Sequence, residues 1–298
     1  MTISFIGAGR VACSIGKYLT QSGIRIAGYY DTQKEAADSA AAFTNSQSFP
    51  ALPDLMERSS IIFITTPDSY ISQAWEELRA FQLDGKIICH CSGAMSSGVF
   101  TDIGKTGALG CSLHPMLPFC DRFASYEQLK NAFFTIEGHD AAVSAISDLF
   151  TSLGNTVCRI EGDCKPKYHA AASILSNQVV AVLDTGYRLL EECGFSRETA
   201  RAATKELVCQ NIDNILQQDC IAALTGPIER NDIQTVRKHL NCLPQQDQDM
   251  YQALGLKLVE LAGRKNQTQN YTELAQLLAN NRRSRNAGKP LCKNRLLM

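Results

Sequence analysis

The first half of the chain alternates short apolar runs with longer segments whose apolar residues recur every three or four positions. TISFI, IRIAGYYD and IIFITTP are the first runs, and KIICHC, ALGCSLH, FFTIEG and NTVCRI continue the series to residue 160. Strands that are apolar throughout and alternate with helices are typical of a parallel sheet with helices on both faces. The pattern predicts a doubly wound α/β domain over residues 1–160.

The second half has a helical period and shows no strand pattern after about residue 160. KPKYHAAASILSNQVVAVLDTGYRLLEECG predicts one long helix from Lys165, with Pro166 near its start and Gly194 at its end. Three later amphipathic segments complete an all-helical domain, which we place at residues 161–280. Residues 281–298 carry basic but no acidic side chains, and they predict a basic, flexible tail.

A glycine-rich motif follows the first strand directly. The sequence GAGRVA, residues 7–12, has the pattern G-x-G-x-x-A, and a helical segment follows it. Between a strand and a helix, this motif is typical of a loop that binds the pyrophosphate of a dinucleotide through backbone N–H groups. Asp31, at the end of the second strand, is placed to bind a ribose 2′-hydroxyl and favours NAD. Thr32, Gln33 and Lys34 follow it, and we keep both NADP and NAD open as the cofactor.

Ligands of parallel sheets bind beyond the carboxyl ends of the strands. The candidate cofactor-binding residues at these ends are Gly7, Ala8, Gly9, Arg10, Val11, Ala12, Asp31, Thr65, Thr66, Pro67, Ser92 and Gly93. His114 also ends a strand, in the unusual stretch ALGCSLHPMLPF. Its ordinary pKa near 6.5 suits proton exchange close to neutral pH, so we predict that it acts as a general acid or base.

Polar side chains recur at every fourth position of the predicted long helix. Lys165, His169, Ser173 and Asn177 predict a polar stripe beside small alanines. A solvated helix face is the alternative interpretation. We predict that Lys165 and His169 polarise a substrate oxygen or hold a carboxylate, with Ser92 and Asn177 as hydrogen-bonding residues.

Composition excludes several other functions. The formal charge of the 298 residues is −1, which favours neither nucleic acid nor a membrane surface as a partner. No apolar run reaches the length of about 18 residues that a spanning helix needs, and the N-terminal residues do not resemble a secretory signal. The twelve cysteines include no C-x-x-C pair, so we expect reduced thiols, no metal site and a cytoplasmic protein.

Taken together, five motifs carry a resemblance that extends to about residue 262. GAGRVA, CSGAMSS, GCSLHPMLPF, the pattern D-x-K-x-x-YHAAA from Asp163, and ALTGPI resemble proteins that combine a Rossmann-like domain with DUF2520, a domain of unknown function. That family is similar to dehydrogenases with a helical domain like that of 6-phosphogluconate dehydrogenase. The group includes pyrroline-carboxylate, ketopantoate and prephenate-type enzymes.

The resemblance implies an NAD(P)-dependent dehydrogenase that forms a homodimer through its helical domain. In the prephenate-type enzymes a histidine in a His-Pro pair contacts the substrate hydroxyl, and Ser92 and His114 match that arrangement in order and spacing. The lysine-to-asparagine spacing of the ketopantoate enzymes is absent, although some members of the family have been linked to ketopantoate reduction. We therefore expect hydride transfer to a small keto or hydroxy acid, ketopantoate-like as a candidate, in an interdomain cleft.

Two alternative functions can be distinguished from this hypothesis by experiment. A non-catalytic redox sensor would bind the dinucleotide and signal through the helical domain, because a fold alone does not establish catalysis. A zinc hydrolase would use Cys89, His90, Cys91 and His114. Adjacent residues on a strand point to opposite faces, so His90 cannot join both cysteines around one ion, which argues against zinc.

Overall fold

The computed structural model describes residues 1–286, with side chains through residue 279. Two compact units divide between Val180 and Ala181. The first unit contains an eight-stranded sheet, and the second contains only helices among its described residues. The predicted fold class, a doubly wound sheet followed by a helical domain, is confirmed.

The sheet of the first unit has the order β3-β2-β1-β4-β5-β6-β7-β8. Its strands are β1 Ile3–Ile6, β2 Ile26–Tyr30, β3 Gln47–Ser48, β4 Ile61–Ile64, β5 Ile87–His90, β6 Leu109–Pro115, β7 Phe133–Gly138 and β8 Thr156–Arg159. The chain reverses its direction of travel across the sheet between β1 and β4. Such a switch point opens a crevice beyond the strand ends, where ligands bind in α/β sheets.

Helices cover both faces of this sheet. They are α1 Arg10–Gln21, α2 Lys34–Thr44, α3 Leu52–Glu57, α4 Asp68–Leu78 and α5 Asp140–Ser152. A further helix, α6 Lys165–Leu175, follows β8 and buries only its first residue. Successive residues of each central strand face opposite sides, so Phe63 packs in one core and Ile62 and Ile64 pack in the other. Burial on both faces explains why the strands are apolar at every position rather than at alternate ones.

The strand β7 runs antiparallel to β6, with His114 opposite Thr135. The prediction of a parallel sheet is therefore wrong at this one pair. A parallel crossover usually needs an α-helix to carry the chain back across the sheet, and the connection between β6 and β7 contains only the 3₁₀ segment Ser125–Asn131. The carboxyl ends of β7 and β8 consequently lie at the edge opposite His114. The two-residue strand β3 was not predicted.

The predicted single helix from Lys165 is two helices. Helix α6 ends at Leu175, Ser176 has φ −124° and ψ −74°, and α7 runs over Asn177–Glu192. The Ser176 hydroxyl donates to the carbonyl oxygen of Ala172 at 2.7 Å, a side-chain bond that competes with helical backbone pairing. The prediction of one continuous helix is wrong at this residue. Helix α6, which the sequence assigns to the second domain, belongs to the first compact unit.

The second unit begins within α7. Its further helices are α8 Arg197–Gln217, α9 Cys220–Ala223, α10 Ile233–Cys242, α11 Gln245–Lys265 and α12 Thr272–Asn286. Ser196 and Asp232 cap α8 and α10 by accepting backbone N–H groups of the first turn. The core of this unit joins α10, α11 and α12 through residues such as Val236, Ala262 and Leu278.

Two further expectations concern the end of the chain and its membrane association. Residues 281–286 of the predicted tail form the last part of α12, and residues 287–298 lie outside the described residues. Among the helices described, none combines the length and the apolar character that crossing a membrane requires.

Candidate active site

Four neighbouring strands end side by side at one edge of the sheet. Residues 7–12, the glycine-rich loop, follow β1, residues 65–68 follow β4, and residues 91–93 follow β5. His114 lies at the end of β6. The predicted strand-end residues are thus brought to one edge, as parallel pairing of β1, β4, β5 and β6 requires.

The glycine-rich loop passes very close to the end of β4. Gly7 has φ +93°, and a methyl group on its Cα would lie 2.9 Å from the carbonyl carbon of Thr65 and from the backbone nitrogen of Thr66. Only glycine combines this conformation with this close approach. Helix α1 begins at Arg10 with no side-chain cap at Gly9, so N–H groups of its first turn stay available to an anion.

Asp31 supports the glycine-rich loop from the end of β2. Its Oδ2 accepts the backbone N–H of Ala8 at 2.7 Å, and its Oδ1 accepts that of Gln33 at 2.9 Å. The side chain lies where the sequence predicts it. Both carboxylate oxygens are already engaged by the protein backbone.

A cavity of about 920 Å³ opens between the glycine-rich loop, the ends of β2 and β4, and the connection after β6. Its lining includes Gly7–Arg10, Asp31, Thr65–Pro67, Tyr70 and Arg122. The Thr66 hydroxyl is buried here and has no partner among the described residues. A buried unpaired hydroxyl and uncapped backbone donors are groups that a bound phosphate-containing ligand would satisfy, so the residues present fit a dinucleotide.

Ser92 connects this cavity with the end of β6. Its hydroxyl donates to Oδ2 of Asp68 at 2.7 Å, and it accepts the backbone N–H of Met95 at 3.0 Å. Asp68 begins α4, directly after the cavity-lining Pro67. The Ser92 side chain is therefore fully used in positioning the loop between β5 and the following turn.

His114, Tyr168 and His169 form a group that we call the histidine cluster. Nδ1 of His114 lies 2.7 Å from the Tyr168 hydroxyl, and the rings of His114 and His169 are 6.1 Å apart and nearly perpendicular. A methyl group on Gly93 would lie 2.5 Å from Nδ1 of His169 and 2.9 Å from Nε2 of His114. The absence of a side chain at Gly93 lets both imidazoles converge on this point of the backbone.

Lys165 lies beneath the cluster and is only 1% exposed. Its ammonium group donates to the carbonyl oxygen of Ser92 at 2.6 Å and to the hydroxyl of Ser112 at 2.7 Å. Burial lowers the pKa of this ammonium, and the nearby Glu137 carboxylate partly opposes the shift. Lys165 thus joins α6 to the ends of β5 and β6.

The surroundings of His114 change its acid–base behaviour. Burial, followed by the charges of Lys165 and His169, lowers its pKa to about 4, while Asp68 acts in the opposite direction. Its imidazole is therefore neutral near pH 7, although the sequence predicts an ordinary value near 6.5. His90, which is fully buried on β5, also has a pKa lowered to about 4, chiefly by burial.

The structure brings together most of the predicted catalytic residues. Ser92, His114, Lys165 and His169 lie within one connected group of the first unit. Asn177 does not continue the predicted stripe, because the break at Ser176 places it in the first turn of α7, where its Oδ1 accepts the Ser176 hydroxyl.

Three residues of this region received no role from the sequence. Asp68 is a strand-end residue, Tyr168 stands in the motif D-x-K-x-x-YHAAA, and Arg122 lies in no motif; each acquires its partners only through folding. Of the three, Tyr168 was the easiest to identify from the sequence, since it stands directly before His169. The residues described include no group of three or more side chains placed to hold a metal ion, and the zinc arrangement does not form there.

Two family models match the chain. Residues 1–115 match a Rossmann-like domain, so the sheet and its glycine-rich loop define a Rossmann-like protein. Residues 132–258 match the domain of unknown function DUF2520. The two models match the two halves of the chain in the order that the five motifs indicate, and the predicted resemblance is confirmed. No curated protein matches the chain.

Three solved structures illustrate the fold that this chain shares. A candidate NADP oxidoreductase from Bacteroides fragilis is 21% identical with a TM-score of 0.67, over 87% of this chain and 98% of that one. A protein from Thermotoga maritima is 21% identical with a TM-score of 0.65, over 94% and 99%. The Plasmodium falciparum pyrroline carboxylate reductase with NADP bound is 12% identical with a TM-score of 0.57, over 89% and 96%.

Proposed function

We propose that this chain is an NAD(P)-dependent oxidoreductase that transfers a hydride between the nicotinamide and a small keto or hydroxy acid. A ketopantoate-like acid is our candidate substrate. The observation that carries the proposal is the position of the histidine cluster and the cavity at one sheet edge, joined through Ser92 and Asp68. The NADP described for two proteins of similar fold supports it.

The dinucleotide, when bound, supplies the hydride, and the protein must bind it and manage one proton. The backbone N–H groups at the start of α1 and the Thr66 hydroxyl would hold its phosphates. Gly7 keeps the loop close to β4, and Asp31 keeps the loop in place. This half of the site therefore acts mainly through the backbone.

His114 would act as a neutral imidazole rather than as an imidazolium acid. Burial raises the pKa of Tyr168, so its hydroxyl stays protonated and can donate to Nδ1 of His114. The imidazole proton then resides on Nε2, which points towards Gly93. During reduction Nε2 would give its proton to the substrate oxygen while Nδ1 receives the proton of Tyr168. The half-buried Tyr168 hydroxyl would take a replacement proton from water, so that neither a ring cation nor a phenolate remains.

The other predicted catalytic residues would have supporting roles. His169 is exposed and its Nδ1 faces the same point as His114, so we assign it a hydrogen bond to the substrate. Lys165 is buried beneath the cluster and would act through its charge, which favours neutral His114. Ser92 would hold Gly93 in place, and we retain Asn177 only as a hydrogen-bonding residue at the start of α7.

Titration with NADPH and NADH, followed by turnover assays on a panel of small keto acids that includes ketopantoate, tests the proposal. We expect binding of at least one coenzyme and oxidation of it with one acid of the panel. Binding with no turnover on any carbonyl substrate would contradict the enzyme and favour the redox sensor. Failure to bind either coenzyme would refute both.

We also propose that the chain forms a homodimer through its helical unit. Leu207 and Leu216 of α8 are 71% and 79% exposed, and nine residues of helix, at about 100° each, place them on opposite sides. A second copy of the chain could bury the apolar side chains on both sides of this helix. Light scattering at micromolar concentration should give the dimer mass, and Leu216→Glu should lower it.

A further inference from the structure

The connection between β6 and β7 reaches back to the glycine-rich loop through Arg122. Nη2 of Arg122 donates to the carbonyl oxygen of Ala8 at 2.7 Å and to that of Ala36 at 2.8 Å, and Nε donates to Sγ of Cys13 at 3.3 Å. These bonds hold the guanidinium plane between the starts of α1 and α2. Neither motif nor resemblance assigns a role to this arginine.

Arg122 is held by neutral groups rather than by a carboxylate. Its three acceptors are neutral, and it forms no salt bridge with any carboxylate of the described residues. Nη1 likewise has no partner there, and the side chain lines the 920 Å³ cavity. The guanidinium is therefore fixed in direction and retains N–H donors for an anion in the cavity.

Acids also line the cavity, but none of them forms an ion pair with Arg122 among the described residues. Asp31 uses both oxygens on the backbone N–H groups of Ala8 and Gln33. Asp121 accepts the N–H groups of Phe123 and Ala124 at 2.7 and 2.8 Å. Glu77 also lines the cavity, on α4. Arg10, at the first position of α1, adds a second exposed cation to the lining.

The position of Arg122 indicates which phosphate it would meet. Ala36 lies in the first turn of α2, directly after the turn that follows β2, and Ala8 lies in the glycine-rich loop. In sheets of this kind the residues after the second strand surround the adenosine ribose, and an arginine there accommodates a 2′-phosphate. Because Asp31 is engaged with the backbone, its presence does not by itself select NAD.

We propose that Arg122, with Arg10 lining the same cavity, binds the 2′-phosphate of the coenzyme's adenosine and makes the protein selective for NADP(H). The inference rests on the proposed function and names the coenzyme that the site prefers. The two remaining N–H donors, both on Nη1, would give the phosphate a charge-assisted partner whose direction is already fixed by three bonds. The selectivity therefore comes from a connection between strands β6 and β7, far in sequence from the glycine-rich motif.

Calorimetric titration of the full chain with NADPH, NADH, 2′,5′-ADP and 5′-AMP tests the proposal without any turnover. We expect wild type to bind 2′,5′-ADP and NADPH about 10- to 100-fold more tightly than 5′-AMP and NADH. Arg122→Gln should remove most of this preference while the NADH dissociation constant changes less than about threefold. Arg122→Lys should keep part of the preference, because the charge remains but the ammonium is not held in a fixed direction by the bonds to Ala8, Ala36 and Cys13.

Controls separate phosphate binding from support of the loop. Arg25→Gln changes an exposed arginine at the opposite end of β2 and should leave all four dissociation constants unchanged. Arg10→Gln removes the second cation without touching the bonds of Arg122, and it should reduce the preference by a smaller factor. Thermal unfolding without nucleotide shows whether each variant is folded.

Two results would overturn the inference while leaving the proposed function intact. The first is a wild-type protein that binds NADPH and NADH with equal affinity. The second is an equal loss of both coenzymes in folded Arg122→Gln, which would show that the arginine only supports the loop or contacts the pyrophosphate. Failure of wild type to bind any of the four nucleotides would refute the proposed function and this inference together.

Discussion

The glycine-rich loop and the histidine cluster lie at the same edge of one sheet but are built differently. The loop is contiguous, and its chemistry comes from backbone N–H groups and a helix start. The cluster draws side chains from β6 and α6, and Gly93 after β5 gives them room. A motif predicts the first kind of site well, because backbone groups have the same chemistry wherever the turn forms.

The second kind of site depends on surroundings that no motif contains. His114 is predicted to exchange protons near its ordinary pKa, and burial beside the Lys165 ammonium lowers that pKa to about 4. Lys165 is predicted to face the substrate, and it is bound instead to Ser92 and Ser112. The difference shows that residue identity predicts the location of such a site better than it predicts each side chain's role.

Replacement of His114 should show the largest difference between the two regions: turnover should fall while coenzyme binding at the glycine-rich loop is kept. His114→Ala is expected to lower kcat about 10²- to 10⁴-fold, the range for loss of a proton-transferring group, with the coenzyme dissociation constant unchanged. Steady-state kinetics and coenzyme titration measure both. His139→Asn is the matched control, because His139 caps α5 at the opposite edge and asparagine also caps helices. Unchanged turnover in His114→Ala would exclude the proposed role.

Gly7→Ala should have the opposite effect: it should impair coenzyme binding at the glycine-rich loop and leave the histidine cluster unchanged. A methyl group 2.9 Å from the backbone of β4, on a residue with φ +93°, must displace the glycine-rich loop. We expect the coenzyme dissociation constant to rise about 100-fold or more. The His114 side chain should keep its surroundings, as histidine ring resonances in NMR spectra can show. Normal coenzyme affinity in this variant would refute the loop as the binding element.

Acid should destabilise the region of the buried histidines before it affects the carboxylates. His90 and His114 have folded-state pKa values of about 4, below the unfolded value near 6.5. The unfolded chain therefore takes up protons first, and stability falls as pH drops from 6.5 to 4. Each histidine contributes about 3 kcal/mol at most. Denaturant unfolding at pH 7.5, 5.5 and 4.5 measures this, and a constant unfolding free energy would contradict it.

Lys165→Met tests whether the buried charge controls the cluster. Without the ammonium, the pKa of His114 should rise from about 4 towards its ordinary value. The acid limb of kcat/KM should therefore move to higher pH, since a protonated imidazole no longer accepts from Tyr168. Lys167→Met, which changes an exposed lysine of the same helix, should leave the profile unchanged. An unshifted profile in Lys165→Met would show that the lysine is only structural.

Tyr168→Phe should have the smallest effect of the series. Loss of one hydrogen bond to Nδ1 is expected to lower kcat about tenfold and to leave coenzyme binding unchanged. The distinctive readout is the tautomer of His114 in ¹⁵N-edited NMR spectra, which should shift from Nε2–H towards a mixture. An unchanged tautomer would remove the assigned role of Tyr168 even if turnover falls.

The limits of sequence-based prediction appear at particular residues. The position of Asp31 after β2 follows from a local pattern and is found as expected. The helix break at Ser176 was not predicted, because the helical pattern continues through this residue and the Ser176 side-chain bond to Ala172 forms only in the folded chain. The antiparallel β7 was missed because strand direction depends on how the chain between β6 and β7 returns, and an apolar run carries no sign of direction.

The sequence by itself determined the doubly wound sheet, the helical second half, the glycine-rich loop and the strand ends where ligands bind. These features depend on hydrophobic period and backbone conformation, which are local properties. Tertiary structure decided that Lys165 is buried, that Tyr168 meets His114 and that Arg122 reaches Ala8 and Ala36. Burial and charge contacts sum over residues distant in sequence, and so the protonation state of His114 and the free donors of Arg122 exist only in the folded protein.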